Sequence, residues 1–148
     1  PSKWAEDSIY KLEIMPDAFE DIYGLSNDTS IIEFKTQKLE NYGKVLADIV
    51  SIDSTYQLIC QLILPENDNE KVISEQIIST DQIIEFPFLN PKEYIFKVII
   101  DKNFNNKWDT GDYLKNIQPE EVLYYDQKVN VRSNWDIEIN FDVQKGLK

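Results

Sequence analysis

Histidine is missing from this 148-residue chain, cysteine and methionine occur once each, and glycine occurs only four times. Without histidine the chain has neither the Ser-His-Asp nor the Cys-His nucleophile system, and it lacks the imidazole that most zinc sites use. A single cysteine cannot form an internal disulfide, which suits a reducing compartment and equally suits many periplasmic and surface proteins, so it does not fix location. Positive charge is scarce: 15 Lys plus Arg face 27 Asp plus Glu, and the net charge of -12 repels phosphate backbones and anionic lipid. That balance argues against nucleic acid as a partner. No apolar run approaches the about 18 residues of a membrane span. No charged and then apolar leader opens the chain at PSKWAEDSIY, so either none exists or the chain begins downstream of one.

What is present is a period of two. WDIEINFDV alternates Trp135, Ile137, Ile139, Phe141 and Val143 with Asp136, Glu138, Asn140 and Asp142, which gives one core face and one acidic, wet face. The same alternation recurs in SIYKLEI, SIIEFKT, GKVLADIVSI, STYQLICQLIL, QIIEFPF, EYIFKVII and KVNVRS. Turn clusters such as YGLSNDTS, LPENDNE and FLNPKEY separate them, where Gly, Pro, Asn and Asp supply turn geometry. No segment keeps helical spacing over three turns. The pattern predicts an all-β protein, a sandwich with Greek-key connections. Cys60 shares its parity with Tyr56, Leu58, Leu62 and Leu64, which sends it to the core as an inert thiol.

The polar stretch from Gln37 to Tyr42 separates SIIEFKT from a new series of strands. It predicts a first segment over 1–37, with two strands, and a module over 38–148. A lone hairpin is marginal in water, so the first segment either packs onto the second or is the tail of a domain whose beginning lies upstream.

The residues also carry a resemblance. YKLEIMPDAFEDIYGLSNDTSIIEFKT resembles the closing strands of an S-layer-type bacterial Ig-like domain, with its Tyr-led strand, its AFEDIYGLSND turn and its final FKT strand. The rest is similar to the transthyretin-like (prealbumin-like) β-sandwich module that follows such a domain in surface lipoproteins of Bacteroidota. The parts that carry this are YGKVLADI, YQLICQLIL, FPFLNPKEYIFKVIIDKNFNNKWDTGDY, QPEEV and RSNWDIEINF. Two places depart from the pattern. Pro91, Lys92 and Glu93 stand where Pro-Gly usually precedes the Tyr strand, and Asn105 and Asn106 stand where Asn-Gly is usual. Asparagine is the next best residue for left-handed backbone, so the second departure is mild. The resemblance implies an Ig-like/prealbumin-like sandwich with a short N-terminal strand segment, exported to the outer membrane, cell surface or periplasm of a Gram-negative bacterium. A lipid anchor in the full-length precursor fits that setting. No catalytic residues come with it.

DKNFNNKWDTGDY, residues 101–113, is the stretch with the most chemistry. Calcium takes six to eight oxygens, and a loop supplies them from side chains at positions one, three and five, a sharp turn at six, a carbonyl at seven, and further oxygens at nine and twelve. Asp101, Asn103 and Asn105 take the first three places, Asn106 the turn, Lys107 the carbonyl, Asp109 the ninth and Asp112 the twelfth. Aspartate at twelve is shorter than the usual glutamate, and two of the ligands are neutral amides, which predicts weak affinity. The competing reading is a polar turn, since Asp and Asn hydrogen-bond their own backbone. Repulsion among Asp101, Asp109 and Asp112 in a compact loop favours a cation.

The expected function is that of a non-catalytic structural or protein-interaction module of the cell envelope, with a protein partner there, stabilised by calcium. The alternative is a glycan-binding module that uses Trp108, Tyr113, Tyr124, Tyr125 or Trp135 as a sugar platform. Trp135, by parity with Ile137 and Ile139, is expected in the core, and Tyr124 and Tyr125 are expected on opposite faces. Glu120 and Glu121 resemble a glycosidase pair only superficially, because neighbours in a strand face opposite ways.

Overall fold

The computed structural model describes residues 3–66 and 69–147. The chain divides into two compact units, Pro1–Leu39 and Glu40–Lys148. The turn expected over LPENDNE centres on Asn67 and Asp68, which lie outside the described residues.

In the first unit β1 (Ile9–Ile14) and β2 (Ser30–Lys35) pair antiparallel, with Tyr10 opposite Phe34 and Leu12 opposite Ile32. Alternation gathers these four on one face. Trp4 covers part of it, its ring 4.6 Å from Tyr10 and 5.5 Å from Phe34. Cross-strand aromatic pairs of this kind are the main support available to an isolated hairpin. The connecting loop is tied by Asn27, whose Oδ1 accepts the Phe19 N–H at 2.7 Å and whose Nδ2 donates to the Met15 carbonyl at 2.9 Å.

The second unit is an all-β sandwich. One sheet holds β3 (Gly43–Val50) at its centre, with β6 (Gln82–Leu89) antiparallel on one side and β10 (Asp136–Asp142) parallel on the other. The other sheet runs β5 (Asn69–Ile78), β4 (Gln57–Glu66), β7 (Glu93–Asp101), β8 (Val122–Tyr124), and the short β9 (Val129–Asn130) also pairs with β7. The inward residues of both sheets form one core. Phe96 of β7 meets Phe86 of β6 at 6.1 Å and Phe141 of β10 at 5.6 Å, both edge-on, so one ring locks into two across the interface. β4 is buried on both faces, Leu58, Cys60 and Leu62 inward and Ile59 and Ile63 outward, as befits a strand flanked by neighbours. The Cys60 thiol is pushed up to about 12 by burial, which makes it the inert core side chain its parity predicts. The helical parts among the described residues are a 3-10 turn at Leu39–Asn41 and one α-helical turn, α1 (Val143–Gly146), capped by Asp142, which accepts the Gln144 N–H. No helix among the described residues is long and apolar enough to cross a membrane.

Three features differ from the sequence expectation. β5 and β8 carry no pattern that announces them, and within KVNVRS only Val129 and Asn130 are strand. Trp135 is not in the core: it is 57% exposed, with the Arg132 guanidinium 5.5 Å from its ring. The strand begins only at Asp136, and Asn134 at φ 59° turns the chain just before it, so the parity of β10 does not extend back to Trp135.

Candidate metal centre

The 101–113 loop leaves the end of β7, which fixes its first residue. Asp101 lies opposite Gln57 in the β4–β7 ladder and is fully buried. Its Oδ2 accepts from Gln57 Nε2 at 2.7 Å and from the Asn106 N–H at 2.8 Å, and its Oδ1 accepts from the Asn105 N–H at 3.3 Å. Burial raises the pKa of Asp101, the largest single effect. The hydrogen bonds from Gln57, Asn106, Asn105 and Phe104 together outweigh it and hold the carboxyl below its ordinary value. The charge is therefore kept inside the fold at neutral pH.

Beyond Asp101 the chain winds tightly. Asn103 Oδ1 accepts the Asn105 N–H at 3.0 Å and Asn105 Oδ1 accepts the Lys107 N–H at 2.8 Å. Phe104 at φ 60° and Asn106 at φ 64° take the left-handed backbone that a sharp turn requires, Asn106 at the sixth place of the motif. Gln57 Nε2 also donates to Asn106 Oδ1 at 2.8 Å, so β4 holds that turn from below. The amide nitrogens of Asn103 and Asn105 both reach Asp109 Oδ2, at 2.5 and 2.7 Å. The structure thus brings together Asp101, Asn103, Asn105 and Asp109, with Lys107 on the same winding.

Asp112 stands outside that network. Its Oδ1 accepts the Leu114 and Lys115 N–H groups, and its Oδ2 pairs with Lys115 Nζ at 2.9 Å. These bonds, the Lys115 side chain first among them, hold its carboxyl below the ordinary value. A small turn closes here, with Asp112 and Ile117 bonded reciprocally at 2.9 Å. Gly111 at φ 77° permits it, because a Cβ there would lie 2.6 Å from the Ile117 carbonyl oxygen.

The residue that sequence reasoning missed is Glu120. Only 9% exposed, it accepts the Lys102 N–H on Oε1 at 2.9 Å and the Asp109 N–H on Oε2 at 3.1 Å. Its own N–H donates to the Asp109 carbonyl at 3.0 Å, and its carbonyl accepts from Trp108 Nε1 at 3.0 Å. Glu120 thus cross-links the neck of the loop. Glu121, just ahead of β8, is exposed and paired with Lys102 Nζ at 3.0 Å. No sequence signal marks Glu120: it precedes β8, and its parity is that of the exposed Tyr124, not of Leu123, which packs on the core.

Among the described residues, no group of three carboxylate, histidine or cysteine side chains is gathered to hold a metal by itself. A cation here has to draw on amide and carbonyl oxygens as well, and the loop has them. A half-turn of an asparagine amide exchanges its nitrogen and oxygen. Asn103 and Asn105 can therefore offset the Asp109 charge in two ways, by donating N–H to it or by sharing a cation with it. Each turn forfeits the hydrogen bond its oxygen now accepts, a cost of about 0.5 to 1.5 kcal/mol apiece. The donor set fits a hard cation bound weakly.

The rings considered as a sugar platform lie on separate elements. Trp108 is tied to Glu120, Tyr124 of β8 carries Lys97 Nζ 5.8 Å from its ring centre, and Trp135 carries Arg132. Tyr113 is 97% exposed on the 112–117 turn, and Tyr125 packs against the core. No protein-family model matches the chain, and no curated protein matches it.

Proposed function

We propose that this chain is a non-catalytic, exported module of a bacterial cell envelope, a structural or protein-interaction unit whose 101–113 loop takes calcium. The observation that carries the calcium reading is the convergence of Asp101, Asn103, Asn105 and Asp109 on one tight winding, with Asn106 left-handed at the sixth place. Asp101 and Asp109 supply the charge, Asn103, Asn105 and the Lys107 carbonyl supply neutral oxygen, and Glu120 holds the neck closed. When bound, the cation contributes charge compensation for the two aspartates and rigidity for the loop. The envelope setting is supported by the sequence resemblance to the Ig-like and transthyretin-like modules of Bacteroidota lipoproteins. A net charge of -12 supports a protein or cation partner over nucleic acid.

The test is calcium titration of chelator-treated protein, followed by melting temperature and by the fluorescence of Trp108, whose indole N–H is bonded to Glu120. A dissociation constant of about 10⁻⁴ to 10⁻³ M is expected, the range of extracellular modules. At one hundred times that constant the folded state gains about 2.7 kcal/mol. Magnesium gives less, because it demands near-octahedral geometry and sheds water reluctantly. An identical melting temperature with chelator and with excess calcium makes the loop a polar turn.

A further inference from the structure

Among the described residues five strands of the sandwich lie at sheet edges, and four are blunted in ways that discourage a further strand. β6 carries Pro87 and the left-handed Phe88 at φ 57°, and its Glu85 carbonyl is taken by Gln76 Nε2. β5 carries Lys71 and a bulge at Ile73, where the register jumps from Ser74 opposite Leu62 to Val72 opposite Ile63. β8 is three residues long and β9 two.

β10 has none of these devices. Its seven residues pair with β3 in unbroken register from Asp136 opposite Lys44 to Asp142 opposite Val50, without proline, glycine, lysine or bulge. β3 is its one sheet neighbour among the described residues, so its other edge is a row of unpaired backbone groups. A cleft at the end of β10 is lined by Asn140 and Asp142, by Asp48 of β3, by Tyr124 and Asp126, and by Lys145.

The side chains say what would fit there. Along β10 the solvent face presents Asp136, Glu138, Asn140 and Asp142, while Ile137, Ile139 and Phe141 turn toward the core. Lys44 answers Asp136 at 3.0 Å and Lys145 answers Asp142 at 3.2 Å. Asp48, Asp126 and Glu138 pair with no cation among the described residues. A second copy of β10 would bring acid against acid, and like charges across strands destabilise. A strand with lysine or arginine on alternate residues would meet the opposite charge instead.

We infer that β10 is a docking edge for an extended basic segment of another protein, one that alternates lysine or arginine with apolar residues and adds a fourth strand to the β10–β3–β6 sheet. Main-chain hydrogen bonds give such an addition its affinity, and alternate side chains give it specificity. The inference rests on the interaction-module reading and is independent of calcium.

The test uses the full chain, isotopically labelled, and a capped peptide alternating lysine and valine, titrated in chelator and again in calcium while backbone amide resonances are followed. Shifts in residues 136–142 and slowed amide exchange there are expected in both conditions. The same peptide with glutamate for lysine should give no shifts, and Glu138→Lys should weaken binding of the basic peptide. A fully N-methylated version keeps the charge and the hydrocarbon but has no main-chain N–H, and it should lose the effect. Equal shifts from the N-methylated peptide, or shifts spread over the acidic surface with none in 136–142, overturn the proposal. A peptide that binds β10 while calcium has no effect separates this result from failure of the metal reading.

Discussion

Glu120 and Asp109 are joined twice: the Glu120 carboxylate accepts the Asp109 N–H at 3.1 Å, and the Glu120 N–H donates to the Asp109 carbonyl at 3.0 Å. With the bond from the Lys102 N–H, this makes one buried carboxylate the acceptor for both ends of the loop neck. Glu120→Gln sets an amide NH₂ against one of two backbone N–H donors, and leaving a buried donor unsatisfied costs about 1 to 3 kcal/mol. Glu121→Gln, on the exposed neighbour, should stay within about 0.5 kcal/mol of the parent. Urea unfolding of the two variants checks the difference, and equal losses refute the clamp.

The loop network ranks the acidic residues as calcium ligands. Asp109→Asn keeps shape and removes the charge on which Asn103 and Asn105 converge, so the calcium-dependent rise in melting temperature should vanish. Asp112→Asn changes a carboxylate already committed to Lys115 and should leave most of the rise in place. If the two variants behave in reverse, Asp112 and not Asp109 is the metal ligand.

Acid should weaken the fold in a defined window. Asp101 and Asp53 are both held below their ordinary value of 3.8 in the folded state, Asp53 chiefly by the Thr55 N–H. A depressed carboxyl stabilises the fold above its unfolded pKa, and that contribution is lost as pH falls through the lower folded one. Stability should therefore hold above about pH 5 and decline below the ordinary carboxylate range. Asp101→Asn should flatten part of that decline. A parent and variant with parallel pH profiles would mean that Asp101 titrates alike in both states.

Cys60 should ignore thiol reagents until the protein unfolds, because its pKa near 12 leaves almost no thiolate and its side chain is fully buried. Cys60→Ser places a hydroxyl among Leu58, Leu62 and Val98, at a cost of about 1 to 3 kcal/mol if it finds no partner. Reaction of the native protein at the rate of a free thiol would contradict this placement.

Among the described residues, the sandwich core is built from residues between Val45 and Val143. A fragment over 40–148 should consequently unfold cooperatively, with a urea midpoint close to that of the same unit in the full chain. Loss of a cooperative transition would show that residues 1–39 complete it.

The sequence by itself determined the elements whose physics is local. β3, β7 and β10 were legible because a half-buried strand must alternate, and Cys60 could be placed by parity for the same reason. The turn at Asn106 was legible because left-handed backbone favours Asn or Gly at that offset, whereas Phe104, equally left-handed, carries no such signal. β5 was hidden by its bulge, which sets Val72 and Ile73 side by side and breaks the period. Trp135 misled because parity holds only inside a strand, and Asn134 turns the chain just ahead of it. Glu120 and Gln57 belong to another class. Each reaches the loop across a sequence separation, 18 residues from Glu120 to Lys102 and 44 from Gln57 to Asp101, that only strand pairing closes. Local pattern says which way a side chain points, and only the packed sheets decide what it meets there.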